Sequence, residues 1–345
     1  MRSEVQVLLD PPYFFGGLSS AGRAPDLHSG GQEFDPPRLH HLLLAPYDRF
    51  RQNISMKIAA VTMVYRDYWA LAQWYMHYGH HLGFQNLFVV SHGFDPTIAQ
   101  ICPQASIITV PRDELEWFDR TRANLLNGIT SGLNQIYDWV IRTDVDELIC
   151  LDPAQHAGFG DFFSKCSEGA VFALGFDIIQ RENDADMKHG QSVFDNRTGA
   201  VFGGAYSKAF AVCDGTQLLL HGVKLPKRHL EHYLFQLPTG VYLAHIKYAN
   251  VEALAASNEH RIEIASHAAK GMPGGLWRNA HTYSQARFNW ITDYPELEWH
   301  TAEVDAYKQI TSDIKRLTKS SVLRAASIQF DFKTTLPDWF RTQYG

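Results

Sequence analysis

The stretch Trp139-Val140-Ile141-Arg142-Thr143-Asp144-Val145-Asp146-Glu147-Leu148-Ile149-Cys150 decides how the chain is read. Trp139–Arg142 is a short apolar run of the kind that a sheet buries on both faces. It passes without a linker into three carboxylates, Asp144, Asp146 and Glu147. Side chains alternate along an extended chain, so Asp144 and Asp146 are expected to point the same way.

Two carboxylates aimed at one spot repel unless a cation or a shared proton intervenes. Oxygen-rich sites of this kind suit Mg²⁺ or Mn²⁺, which keep positions open for phosphate oxygens. An ion there would bridge a diphosphate and stabilise it as a leaving group. The plainer alternative for a bare Asp-x-Asp is a solvated acidic turn, or an Asp capping the next helix. The placement directly after an apolar strand favours a site.

Upstream, a strand–helix rhythm sets in at Met56. Lys57–Val64 reads as a strand, and Leu71, Trp74, Tyr75, Tyr78 and Leu82 then form one helical stripe. Leu87–Val90 is a buried strand, Thr97–Cys102 a short helix and Ser106–Val110 another strand. Leu125, Leu126, Ile129, Leu133, Ile136 and Tyr137 mark a longer helix leading into Trp139. Strands alternating with helices predict an α/β fold, a mainly parallel sheet covered by helices, with ligands at the carboxyl ends of its strands.

Downstream the rhythm changes. Ala170–Phe176, Tyr206–Val212, Gln217–Leu220 and Val241–Lys247 read as strands separated by long loops. Val251–Lys270 and Thr301–Lys319 read as helices. The expected organisation is a loosely ordered extension over 1–55 with a short helix near Leu39–Leu44, an α/β domain over 56–250, and a helical region over 251–345. Met56 is an alternative to Met1 as the start of translation.

Composition narrows the function. The 345 residues carry a net charge of −6, which argues against nucleic acid as a partner, since such proteins concentrate Lys and Arg to neutralise phosphates. The four cysteines form no Cys-x-x-Cys pair and read as free thiols in a reducing compartment. No apolar run approaches the roughly 18–20 residues of a membrane span, and no apolar secretory leader is seen. A cytoplasmic location is expected, with room for peripheral membrane contact.

Residues 56–151 resemble the nucleotide-diphospho-sugar glycosyltransferases of the GT-A fold, a Rossmann-like architecture, in the family-2-like branch. The resemblance is carried by Val64-Tyr65-Arg66-Asp67, by Trp74-Tyr75-Met76-His77-Tyr78 with Leu82-Gly83-Phe84, and by Trp139-Val140-Ile141-Arg142-Thr143-Asp144-Val145-Asp146-Glu147. It implies a nucleotide-diphosphate sugar donor, a carbohydrate or other hydroxyl acceptor, a divalent cation and transfer with inversion. It also implies that Asp146 coordinates the metal directly, while Asp144 contacts the sugar-nucleotide or binds the metal through water. Two motifs depart from the pattern. Arg66-Asp67 stands where relatives carry Asn-Glu, and Ser91-His92-Gly93-Phe94-Asp95 keeps only the final acid of an Asp-Asn-x-Ser-x-Asp turn. The usual nucleoside-binding carboxylate is therefore missing at Ser91.

Further candidates follow, each beside an ordinary structural reading. Asp67 and Asp95 are candidates for touching the donor, and Asp67 could equally cap the next helix. Arg122 and Asn124, near Arg120, are placed close to the donor by the resemblance, and Arg122 could meet a phosphate oxygen. His245 is a candidate third metal ligand, with Lys247 on the same side of its strand. Lys208 and His221 are candidates for the acceptor side. For the base that takes the acceptor's proton, the loop after Ala170–Phe176 offers Asp177, Glu182, Asp184 and Asp186, with Asp177 and then Asp184 preferred. Two competing readings remain: a nucleotide-sugar-binding relative without catalysis, and a phosphatase or phosphotransferase using the Asp-x-Asp pair. No Gly-x-Gly-x-x-Gly follows the first strand, which argues against a dinucleotide oxidoreductase.

Overall fold

A computed structural model describes residues 56–345 apart from 113–116, 189, 268–269 and 273. The expected extension over 1–55 and its short helix lie outside the described residues. The first half runs β1 (Ile58–Val64), α1 (Tyr68–Leu82), β2 (Leu87–His92), α2 (Pro96–Ile101), β3 (Ser106–Val110), α3 (Phe118–Leu133) and β4 (Trp139–Arg142). β2 and β4 both pair parallel with β1, and β3 pairs parallel with β2. The order is β3-β2-β1-β4, so the direction of winding reverses between β1 and β4. In doubly wound sheets that reversal opens a crevice at the carboxyl ends of the strands. Every residue of β1 is buried, as expected of a central strand covered on both faces.

The chain then weaves between two sheets. It continues as β5 (Glu147–Leu151), α4 (Phe159–Ser164), β6 (Ala170–Phe172), β7 (Leu174–Ile179), α5 (Val193–Asn196), β8 (Gly199–Phe202) and β9 (Ala209–Val212). β9 and β6 extend the first sheet antiparallel beyond β4. A small hairpin, β10 (Gln217–Leu219) and β11 (Gly222–Lys224), leads to β12 (Val241–Tyr248), which lies between β5 and β7 in the second sheet. The expected single strand over Ala170–Phe176 is thus two strands in two sheets. Ala173 is the hinge, its amide donating to Lys208 O at 3.1 Å. An unbroken apolar run cannot reveal such a crossing, because both of its halves are buried.

The remainder comprises α6 (Val251–Ser266), α7 (Gly275–Arg278), α8 (Ala280–Asp293), β13 (Glu296–Leu297), α9 (Trp299–Ser312), β14 (Lys315–Leu317), β15 (Val322–Arg324), β16 (Lys333–Thr335) and α10 (Asp338–Tyr344). Residues 251–345 are largely helical, as expected, and also return four short strands. β13 and β16 complete the second sheet, ordered β13-β16-β8-β7-β12-β5, and β14 and β15 join the β10–β11 hairpin. The helix expected to run to Lys319 ends at Ser312, where the chain turns into β14.

α1 is the clasp that fixes the acidic segment. Trp74 and Tyr78 are fully buried on its inner face, each contributing about 2–3 kcal/mol of apolar burial. Their polar ends are used as well. Trp74 Nε1 donates to Thr143 Oγ1 at 3.0 Å, and the Tyr78 hydroxyl accepts from Ile149 N at 3.0 Å while donating to Glu147 O at 3.2 Å. His77, between them in sequence, bonds Ile149 O through Nε2 at 2.8 Å. Three residues on one helix face thereby pin residues 143–149.

Candidate active site

The acidic segment is a turn and not an extended run. Glu147 N donates to Asp144 O at 3.1 Å, and Asp144 N donates back to Glu147 Oε2 at 3.0 Å. The expected alternation of Asp144 and Asp146 therefore gives way to a division of partners. Asp144 is held by Arg122 and, at 3.0 Å, by Lys208. Asp146 faces His245 Nε2 at 3.3 Å and Arg261 at 3.6 Å. Glu147, fully buried, takes Lys208 Nζ at 2.6 Å.

β12 supplies the opposing wall. Its His245 is in register with Glu147 on β5 and with Asp177 on β7, which sets three ionisable groups in one row across the sheet. His245 Nδ1 lies 2.6 Å from Asp177 Oδ1, and Arg287 of α8 holds the other oxygen of Asp177 at 3.0 Å. The Tyr206 ring stacks on the imidazole, with centroids 3.8 Å apart. Asp177 sits inside β7 and not in the loop beyond it. With both oxygens taken, its geometry is that of a group orienting His245.

Electrostatics follow from this packing. Burial opposes ionisation of Asp144 and Asp146, yet Lys208 with Arg122 at the first, and His245 with Arg261 at the second, hold both well below the usual carboxylate range. Burial raises Glu147 to about 6 despite Lys208. Burial also works against charge on His245, but Asp146 and Asp177 outweigh it and raise the imidazole to about 9. Asp67, at the carboxyl end of β1, is raised to about 6 by burial and by Asp146. It does not cap α1 with its side chain; it accepts from the Ser257 hydroxyl at 3.2 Å. Lys247 is lowered to about 8 by burial and Arg261.

The other expected residues divide. Arg122, Lys208, His245 and Asp177 join Asp144 and Asp146 in one network, and Asp67 and Lys247 share its field. Asn124 is exposed on α3; it is Asn127, one turn on, that binds Leu218 and Arg142. Asp95 caps α2 by accepting from Thr97 N at 3.0 Å and also takes the Tyr68 hydroxyl at 2.8 Å. Asp184 belongs to a separate loop, accepting from Arg181 N at 2.8 Å and standing 3.9 Å from Arg197. His221 stands at the edge of the network, its Nδ1 2.9 Å from Ala205 O, and Lys208 with burial lowers it to about 4. Arg261 and Arg287 were not read from the sequence, because a charged helix residue ordinarily faces solvent and their partners lie far off in the chain.

A cavity of about 340 Å³ adjoins the network at the carboxyl ends of β1 and β2, lined by Tyr65, Arg66, Ser91, His92, Phe94 and Arg112 among others. The Arg112 guanidinium lies 3.3 Å from the Tyr65 ring centroid and 3.3 Å from His92 Nδ1. Ser91 turns its hydroxyl to Gly93 O at 2.5 Å, so it offers the cavity no carboxylate and a hydroxyl already engaged.

Among the described residues no three His, Cys, Asp or Glu side chains converge as a ready-made metal group. What the site presents is a pair, Asp146 and His245, with Asp177 behind the imidazole. A 3.3 Å separation between Asp146 Oδ2 and His245 Nε2 is close to the roughly 3 Å edge between neighbouring ligands of an octahedral ion with 2.1 Å bonds. A carboxylate bound to the far nitrogen of a metal-ligating His is the usual support for such a ligand. The pair therefore fits Mg²⁺ or Mn²⁺ if other oxygens complete the shell.

No protein-family model matches the chain, and no curated protein does. Among solved structures, a mannose-1-phosphate geranyltransferase from Thermus thermophilus is similar over 81% of this chain and 74% of its own, at 9% identity and a TM-score of 0.25. A CMP:2-keto-3-deoxy-manno-octonic acid synthetase complexed with CTP is similar over 68% of this chain and 85% of its own, at 13% identity and a TM-score of 0.25. At such identities and scores neither likeness carries a functional argument. No described helix is long and apolar enough to cross a membrane.

Proposed function

We propose that the protein is a divalent-cation-dependent glycosyltransferase that moves a sugar from a nucleotide-diphosphate sugar to a hydroxyl acceptor, with inversion. The observation that carries this reading is the chain of contacts Asp146–His245–Asp177 beside the reversal between β1 and β4, where an α/β sheet receives its ligand. Asp146 and His245 would hold the cation, which supplies charge neutralisation to the departing diphosphate. Asp177 accepts from Nδ1–H of His245 and so presents Nε2 to Asp146, a positioning role and not that of the proton acceptor. Arg122 and Lys208 orient Asp144 toward the sugar-nucleotide. The Tyr65–His92–Arg112 cavity takes the nucleoside, with ring stacking in place of the missing carboxylate at Ser91.

One observation favours a second reading, a nucleotide-sugar-binding protein without transfer: Asp177 and Asp184, the bases expected from sequence, are both committed to neighbours. A panel of nucleotide sugars with Mn²⁺ or Mg²⁺, scored for nucleoside-diphosphate release, separates the two. Release that falls at least about a hundredfold in Asp146→Ala is expected from loss of a direct ligand. Cation-dependent binding with no release under any acceptor supports the second reading, and undiminished release by Asp146→Ala refutes the site assignment.

A further inference from the structure

α6 meets the network along one face. Ser257, His260 and Arg261 lie at helical spacings that bring them together on that face. Ser257 donates to Asp67 at 3.2 Å, His260 stands edge-on to Tyr65 with centroids 5.6 Å apart, and Arg261 reaches Asp146 Oδ2 at 3.6 Å. That same oxygen faces His245 Nε2 at 3.3 Å. One carboxylate oxygen thus serves two positive groups, and it is the oxygen a cation held with His245 would need.

The two arginines that approach this chain of contacts differ. Arg287 is fixed end-on to Asp177 at 3.0 Å. Arg261 holds Asp146 more loosely, at 3.6 Å; its Nη1 also donates to Asn258 Oδ1 at 3.4 Å, and the Trp277 ring centroid lies 6.0 Å from its guanidinium. α6 itself is anchored at its start, where the Asn250 side chain caps Glu252 N and Ala253 N and Gln180 takes Val251 N. Both polar contacts of the Arg261 side chain are long, so little holds its guanidinium at Asp146.

We propose that Arg261 is a donor-binding residue that stands in for the cation at Asp146: it neutralises that carboxylate when no ion is present and passes to a diphosphate oxygen when ion and donor arrive. The inference rests on the reading of Asp146 as a cation ligand. A guanidinium suits the exchange because its planar fork pairs equally with carboxylate and phosphate oxygens. It has an unusual signature, since removing the charge should act in opposite directions on two ligands.

The test measures Mn²⁺ alone by titration calorimetry, then inorganic pyrophosphate in saturating Mg²⁺, on wild type, Arg261→Gln and Arg261→Lys, with melting temperature as the folding control. Arg261→Gln should bind Mn²⁺ about three- to tenfold more tightly, its competitor having gone. It should bind pyrophosphate about tenfold or more weakly. Arg261→Lys, which keeps the charge without the fork, should return Mn²⁺ affinity to near wild type and restore pyrophosphate binding only in part. Unchanged or weaker Mn²⁺ binding in Arg261→Gln overturns the inference, as does unchanged pyrophosphate affinity. Wild-type Mn²⁺ binding that is indifferent to Asp146→Ala overturns the cation assignment and the inference with it, and that result is read before Arg261 is altered.

Discussion

Lys208 is the residue on which the acidic turn depends. Its ammonium is nearly buried, 2.6 Å from Glu147 and 3.0 Å from Asp144, and it neutralises the buried Glu147 while sharing the half-buried Asp144 with Arg122. Burial opposes its charge, but Asp144 and Glu147 raise the group well above an ordinary lysine. Removing one partner of such a set leaves an uncompensated buried charge, so Lys208→Met should lose about 3–5 kcal/mol. Lys208→Met with Glu147→Gln removes part of that imbalance and should recover stability over the single variant in urea unfolding; a double variant no more stable than the single would sink the account. At this scale the sequence was informative where chemistry is local. Three carboxylates within four residues announce a site, and a strand His two residues from a Lys suggests its other wall. Arg261 and Arg287 carried no such signal, since each is one polar helix residue among many until the fold brings its partner near.

At the scale of elements, β7 is placed by a missing side chain. A Cβ on Gly175 would stand 2.2 Å from the carbonyl carbon of Tyr206, so the 203–207 turn lies against bare backbone. The same contact carries hydrogen bonds, Gly203 N to Gly175 O at 2.9 Å and Gly175 N to Ser207 Oγ at 2.9 Å. Gly175→Ala must push the turn away. It should cost about 1–3 kcal/mol or more and lift the Tyr206 ring off His245, read as a lowered unfolding midpoint together with altered His245 ring resonances. A midpoint and ring shifts like those of wild type would show that the turn yields freely. The elements of the first half were legible because β1, β2 and β4 are apolar runs with clear helical stripes before β2 and before β4. The crossing at Ala173 and the turn at 144–147 were not, because apolar periodicity reports burial and not which sheet does the burying.

For the whole molecule, acid stability should turn on His77, the buried histidine of α1. Burial, reinforced by His81 and His80, pushes His77 down to about 3, while its bond to Ile149 O raises it in part. Its folded-state value lies below the unfolded one of about 6.5, so folding excludes a proton that the unfolded chain accepts. That contribution is intact above pH 6.5 and drains away as pH falls toward 3, by about 1.4 kcal/mol per pH unit. Glu147 and Asp67, both raised to about 6, work in the opposite direction over the range between their unfolded and folded values. His77→Gln keeps a donor for Ile149 O and removes the titration. Its stability should fall less than that of wild type between pH 6.5 and 4.5, by about 2–3 kcal/mol, and parallel pH profiles would contradict the burial argument.

The weaving of the chain between two sheets has a consequence in time. Asp144 and Asp146 leave the ribosome at the end of the fourth strand, with the first sheet still short of β9 and β6, and His245 follows only after the chain has crossed between the sheets and back. A nascent or half-assembled molecule thus owns acidic side chains but no imidazole to close them round an ion. On the proposed reading, tight Mn²⁺ capture becomes a certificate of completed assembly, and adventitious metal finds little purchase on chains still being made.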